Sequence, residues 1–288
     1  MFAGFSERLN FGLGGGTVSS PSAFPTRQIG QLGNFNTFAI NFITASGITA
    51  SDQQSAINQL CTDLVNTGLM NKMFAIYPFV GGTADTHKWN LKDPRDTDNS
   101  FRLTFFGGAT HSGTGYFSSF SNGYANTYLT PASVLPATNM HLSVYNRSTA
   151  AGSSTRANIA TSNVSSIFNQ LYSGASFYAG NGAVGQGGVS FTTTLTVQGY
   201  WIGSKTSNSQ RFGFRNGVLN SVVSSATDNT LNNTQPFFIG GRNSNGTANL
   251  FSGHEISFAT IGVGLTQEEC ATLYIIVQNF QTTLGRQV

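Results

Sequence analysis

One feature constrains this chain more than any other: short pleated segments that end in a single amphipathic helix. Pro236-Phe237-Phe238-Ile239-Gly240-Gly241-Arg242 leads to a turn at Asn243-Ser244-Asn245-Gly246, and a largely apolar segment follows over 251–265. The spacing then predicts a helix over 266–284. Thr266 and Glu269 stand three apart as a capping box. Cys270, Leu273, Tyr274, Val277, Phe280 and Leu284 lie along one stripe of that helix. Gly285 suits the left-handed position just past its end. A β-rich body sealed by one terminal helix points to a binding or assembly module more than to an enzyme.

The rest of the chain repeats the strand signal. Apolar or alternating runs mark strands at 74–80, 101–106, 141–145, 158–160 and 176–179, and the strongest pair at 194–204 and 211–215. Asn216-Gly217 supplies the two positive φ angles of a type I′ turn, so 218–223 returns as the hairpin partner. Short strands at near-regular spacing predict a sandwich. One helix precedes them, over 49–68, with Thr49 as cap and Asp52 three residues on. Its buried face is Ile57, Leu60, Cys61, Leu64 and Val65, and Gly68 sits at its C′ position. Residues 1–35 are rich in Gly, Ser and Pro and punctuated by Phe2, Phe5 and Phe11. They are expected to form an extended docking arm whose aromatics seat on a neighbour, with one sandwich domain over 36–288.

Charge bounds the partners. Only 9% of the 288 residues are charged, against about 25% in an ordinary soluble domain. A neutral polar surface costs little to desolvate, which suits a subunit packed in an assembly and equally a plain β protein. The net charge is +3, and the 14 basic residues are scattered. A nucleic-acid partner would need a clustered basic face, so none is expected. Met1-Phe2-Ala3-Gly4-Phe5 lacks a basic segment followed by an apolar one, so no secretory signal is expected. No apolar window reaches the ~18 residues of a membrane span. Cys61 and Cys270 are the only cysteines, both on apolar helix positions, and read as two buried thiols.

Several motifs carry a resemblance. Arg211 to Val218 with its Asn-Gly turn, Phe238-Ile239-Gly240-Gly241-Arg242, Phe251-Ser252-Gly253-His254-Glu255-Ile256 and Leu265-Thr266-Gln267-Glu268-Glu269 together resemble the laminin-G-like, concanavalin A-like jelly-roll family. Ile256 sits one place later than that pattern asks. Upstream, Met73 to Ala84, His87 to Asp96, Asn122 to Thr127 and Gln278 to Arg286 resemble structural proteins of tailed bacteriophages, over roughly residues 50–288. The resemblance implies a virion-associated role, in capsid decoration or in a head or tail fibre, with the protein made in the bacterial host cytoplasm.

Candidate sites follow from the residue types. Asp85, Asp93, Asp96 and Asp98 are four of the 11 acids. Asp93, Asp96 and Asp98 offer a calcium site, since hard cations want several carboxylate and carbonyl oxygens. An ordered loop is the plainer reading, with Asp93-Pro94 as a turn and Arg95 and Arg102 as partners. A glycosidase needs two carboxylates facing one bond, and Glu255 is the single acid on the predicted C-terminal strands. The four histidines show no ligand spacing, with His111 in a loop able to face solvent, and G-x-S-x-G is absent. Gly12 to Gly16 lacks the Lys-Ser/Thr of a phosphate loop. Sugar faces stack on aromatic rings while amides bond their hydroxyls. Trp89, Tyr124, Tyr116 and Asn122 are therefore the glycan-binding candidates, weighed against core packing for each ring.

The sequence thus predicts a mainly β protein: a concanavalin-like antiparallel sandwich with an N-terminal arm, one helix before it and one C-terminal helix. The expected role is non-enzymatic, without cofactor: a virion protein that contacts capsid or fibre subunits, forms homo-oligomers and presents a face to host or mucus glycans. The alternatives are a polysaccharide depolymerase and a pure assembly protein without ligand.

Overall fold

The computed structural model describes residues 34–135, 138–149, 156–163, 167–172, 176–181, 188–191, 196–224 and 233–288. The expected arm, with Phe2, Phe5 and Phe11, lies outside them. Asn36 opens the first helix, α1 (Thr37–Ser46), where its side chain accepts from the Phe38 amide at 3.0 Å. Then come α2 (Ser51–Asn66), β1 (Met73–Tyr77) and the one-turn α3 (Ala84–His87). Four short strands follow: β2 (Thr104–Phe106), β3 (Thr110–Ser112), β4 (Gly115–Phe117) and β5 (Tyr124–Asn126). The turn α4 (Pro131–Val134) leads into β6 (Met140–Asn146), β7 (Ile159–Ser162), β8 (Ile167–Tyr172), β9 (Ser176–Asn181) and β10 (Gly188–Ser190). The last third holds β11 (Gly199–Lys205), β12 (Arg211–Arg215), β13 (Val218–Val223), β14 (Phe238–Ile239), β15 (Arg242–Ser244), β16 (Thr247–Asn249), β17 (Glu255–Gly262) and α5 (Gln267–Thr283).

These strands form the predicted sandwich. One sheet runs β13-β12-β11-β6-β17-β4-β3, with β1 also on β17. The other runs β10-β9-β8-β7-β14-β5-β2, with the β15–β16 hairpin attached through β7. Neighbouring strands are antiparallel except β15 beside β7. Alternate residues turn inward from each sheet, as pleating requires. Leu142, Val144, Trp201, Ala259 and Ile261 meet Ala125, Ile159, Leu171, Phe177 and Ile239 in one core.

Two glycines fix how closely the sheets approach. Gly203 of β11 and Gly213 of β12 are register partners. A Cβ on Gly203 would overlap the ring of Phe177, which reaches across from β9. On Gly213 it would lie 2.6 Å from the ring of Phe191, which packs edge-on against Trp201 at 4.9 Å. The glycine pair is a flat recess that receives two phenylalanine rings from the facing layer.

Helices cover the outer face of the first sheet. The capping box forms as predicted: the Thr266 hydroxyl accepts from the Glu269 amide at 3.2 Å, and Glu269 Oε2 accepts from the Thr266 amide at 2.8 Å. Phe280 of α5 packs on Phe258 at 6.0 Å, and Tyr145 donates to Gln278 Oε1 at 2.9 Å. Beneath the helices β6 and β17 also carry paired polar residues. His141 bonds the Val263 carbonyl and Thr260, while Ser143 bonds Thr260 and Tyr200. Past Gly285, in left-handed conformation as predicted, buried Arg286 donates to the carbonyls of Phe79, Pro78 and Ser257 at 2.8–3.2 Å. That clamp fastens the chain end to the sandwich.

The structure corrects three expectations. Two helices of substance precede the strands, not one, because 37–46 is also helical. Thr49 does not cap α2; its N-cap is Ala50, which has no side-chain oxygen to offer. His111 is not in a solvent-facing loop but on β3, its ring against Phe105 at 4.4 Å. The 211–223 hairpin holds as predicted, with Asn216 at φ 48° and Gly217 at φ 75°. Cys61 and Cys270 are both buried, and burial holds both thiols well above their ordinary pKa, which makes them inert.

Two predictions follow from this packing. Gly203→Ala forces the Phe177 ring away and should cost about 1–3 kcal/mol, as overpacking does. Gly113→Ala, whose added carbon meets nothing within 4 Å, should leave the denaturant midpoint unchanged. Equal midpoints for the two variants would contradict the recess. The second concerns acid. His87, His141 and His254 are each 0–1% exposed. Burial pushes them down to about 3, 4 and 4 respectively. Unfolded, they take up protons near pH 6.5, whereas the native form refuses them until far lower pH. Stability should therefore be full above about pH 6.5 and fall as pH drops towards 4, by up to about 1.4 kcal/mol per pH unit per histidine. A urea midpoint that stays flat from pH 7.5 to 4.5 would contradict the assignment.

Candidate functional site

The free edge of the second sheet carries the site, and its loop is anchored from below. Asn90 is fully buried and uses its whole amide. Its oxygen accepts from the Ile76 amide at 2.9 Å and the Lys92 amide at 3.1 Å. Its nitrogen donates to the carbonyls of Phe74 and Ser100 at 3.1 and 3.0 Å. The Tyr77 hydroxyl donates to the Phe101 carbonyl at 2.6 Å. The segment 98–101 is thereby held on β1. A 3-10 turn over Asp98–Ser100 ends at Phe101, which takes the left-handed conformation at φ 61°.

A second segment faces it. Asn126, the last residue of β5, accepts the Tyr128 amide on its side chain at 2.9 Å, and Tyr128 also turns left-handed, at φ 56°. Its hydroxyl donates to Thr104 Oγ1 on β2 at 2.9 Å. Non-glycine residues rarely adopt positive φ, and bulky ones are held there only by their surroundings. Phe101 and Tyr128, two of the three aromatics at positive φ, line one cleft of about 500 Å³ with Asp98, Asn99, Thr130, Ser133 and Val134; the third, Phe79, is buried in the core.

The cleft has a definite chemistry. Phe101 and Val134 pack on the core and form its apolar part. Asp98 Oδ1 pairs with Arg102 at 3.0 Å, while Oδ2 has no partner among the described residues. The exposed Asn99 amide likewise makes no hydrogen bond to another described residue. Arg102 is shared with Asp96 at 3.4 Å, so no unneutralised cation lines the space. Beside the cleft, on the outward face of β2, β5 and β14, runs an aromatic strip. Tyr124 stacks on Phe106 at 5.0 Å and on Phe238 at 4.5 Å, and Phe106 is 40% exposed. Thr104 and Phe106 are two apart on β2 and so share a face, and Thr104 accepts from Tyr128, so strip and cleft are neighbours.

The residues singled out from sequence separate in space. Tyr124 lies on the strip. Tyr116 is fully buried between Phe79 and Phe105, at 5.5 and 5.3 Å, so this candidate is withdrawn: its ring has no face to offer a sugar. Asn122 is exposed, but its Oδ1 is occupied by the Gly108 amide and Ser119, each at 2.9 Å, closing a turn. Trp89 is half-buried under the Lys88 ammonium, 4.6 Å from its ring centre, and does not line the cleft. The calcium candidates are also corrected. Asp93 is chelated by Arg95 at 2.5 and 2.7 Å, Asp96 pairs with Lys88 at 3.0 Å, and Asp98 pairs with Arg102. Among the described residues no three His, Cys, Asp or Glu side chains converge to hold a metal. The Arg95 guanidinium beside Asp93 holds its carboxyl below the usual range. Tyr128, Phe101 and Asn99 are not among the candidates that the sequence offers, since neither left-handed turn contains a glycine that would signal it.

A second cleft, of about 540 Å³, is lined by Thr206, Gln210, Phe212, Thr266, Gln267 and Glu268. Phe212 is only 3% exposed, so this cleft presents no ring face for stacking.

No family model matches the chain, and no curated protein sequence matches it. Solved structures with loose similarity include domain 4 of AbnA, an extracellular GH43 arabinanase from Geobacillus stearothermophilus, in complex with arabinotriose. It is 14% identical over 70% of this chain and 98% of that one, with a TM-score of 0.46. The binding domain of Paraclostridial Mosquitocidal Protein 1 is 8% identical over 72% of this chain and 52% of that one, at 0.48. The CBM40 of a Ruminococcus gnavus sialidase, bound to α2,3 sialyllactose, is 17% identical over 48% and 82%, at 0.37. At TM-scores below 0.5 these likenesses carry no argument about this chain's ligand or activity.

Proposed function

We propose that this protein is a non-enzymatic glycan-binding subunit of a virion, and that the cleft between Phe101 and Tyr128 is where a sugar sits. One observation carries the reading: two aromatic residues are held in left-handed backbone conformations at a single cleft that also contains an unspent amide and an unspent carboxylate oxygen. Strain of this kind collects at binding sites, where the surrounding structure forces it. Apolar surface with a few placed polar groups is the usual lining of such sites. Phe106, 40% exposed, extends the apolar surface beyond the cleft, while Tyr124 is stacked between Phe106 and Phe238.

The same residues argue against hydrolysis. Asp98 is the single carboxylate lining the cleft, and hydrolysis of a glycosidic bond uses two. Glu255 is held elsewhere, by Thr114 and by Arg147 at 3.4 Å. Nucleic acid is not a partner in this reading: among the described residues Lys72, Lys88, Arg95, Arg102 and Arg147 pair with acids, and Arg286 is buried. Among the described residues no helix is long and apolar enough to cross a membrane.

Within a virion, the arm with Phe2, Phe5 and Phe11 docks on capsid or fibre subunits, and the neutral polar surface is covered by neighbours. Many copies on one particle turn weak sites into firm attachment. The test is a glycan array probed with the full chain and with Tyr128→Ala. Binding of at least one neutral glycan is expected, weakened at least tenfold by the substitution while the melting temperature stays within a few degrees. Array silence, or binding unmoved by Tyr128→Ala, would overturn the reading.

A further inference from the structure

We infer that the cleft reads the acetamido group of an N-acetylated amino sugar. The inference rests on the glycan reading above and names its sugar class. An acetamido group presents one N–H donor, one carbonyl acceptor and one methyl within a few ångströms. The cleft holds the complement of all three. Asp98 Oδ2 has no partner among the described residues and accepts an N–H. The exposed Asn99 side chain is likewise unspent and donates to a carbonyl. Phe101 and Val134 supply the apolar surface that a methyl covers. Charge excludes the main competitors. A carboxylated or sulfated sugar would meet Asp98, and the nearest cation, Arg102, is already shared between Asp96 and Asp98. Ser133 and Thr130 are turned mostly on each other, with their hydroxyls 2.8 Å apart.

A hydroxyl can also donate to Asp98, so what distinguishes acetamido from hydroxyl is the methyl covered by Phe101 and Val134, together with the carbonyl reached by Asn99. The experiment is calorimetric titration of the full chain with pairs of glucose- and galactose-based trimers that differ only in carrying hydroxyl or acetamido at C2. The acetamido member of at least one pair should bind tenfold tighter or better. Asn99→Ala, an exposed position, should shrink that preference to about threefold or less without moving the melting temperature. Val134→Asn should shrink the preference likewise by removing the methyl contact. If both members of every pair bind equally and Tyr128→Ala abolishes both, the inference fails and the glycan reading stands. If no trimer binds and the array is silent, both fail.

Discussion

Face-to-face packing of the two sheets rests on a gap that side chains would close. Gly203 and Gly213 are partners across β11 and β12, and Phe177 and Phe191 fill the space they leave. Sheets in a sandwich stand about 10 Å apart, with side chains of both layers interdigitating. At this end of the sandwich, two rings from one layer enter a recess in the other, so the layers are keyed rather than merely stacked. Trp201 extends the contact through Phe191 and donates its indole N–H to the Val197 carbonyl at 2.6 Å, so its own buried donor is paired.

With the layers fixed, the segments that leave the second sheet are held in strained conformations. The chain around residues 98–101 is fastened to β1 by a buried amide at Asn90 and a buried hydroxyl at Tyr77. The chain after β5 is fastened by Asn126, by Thr104, and by Thr127, which donates to the Phe237 carbonyl at 2.8 Å. These anchors hold Phe101 and Tyr128 left-handed. Ion pairs finish the loop: Asp93 with Arg95, and Asp96 and Asp98 with Lys88 and Arg102. Acids whose spacing suggests a cation site serve instead to hold a loop in shape. Their pairing also leaves the cleft without free positive charge, which restricts the ligands that fit it.

The fold was legible where one local rule decided the outcome. Asn216-Gly217 can adopt the two positive φ angles of a tight hairpin, so 211–223 could be placed to the residue. Thr266 and Glu269 satisfy each other's amides, so the start of α5 was equally plain. Helix α1 escaped because Thr37-Phe38-Ala39-Ile40-Asn41-Phe42-Ile43-Thr44 is rich in β-branched and aromatic residues, which favour strands in isolation. Asn36 and Gly47, its cap and its left-handed terminator, were the available signal. The site was the least legible part. Tyr116 and Tyr124 look alike in sequence, and only their register decides that one ring enters the core while the other faces outward. Left-handed turns at Phe101 and Tyr128 are imposed by residues distant along the chain, so the local sequence carries no trace of them.

The central claim is that the strained aromatic cleft, and not the outer surface at large, is the contact with sugar. Hydrogen–deuterium exchange on the full chain, with and without a saturating neutral glycan, tests it most directly. Protection should appear over residues 98–104 and 126–134, with none gained over 206–212 or 266–268 at the second cleft. Protection confined to that second cleft, or spread evenly over the sheets, would contradict the account.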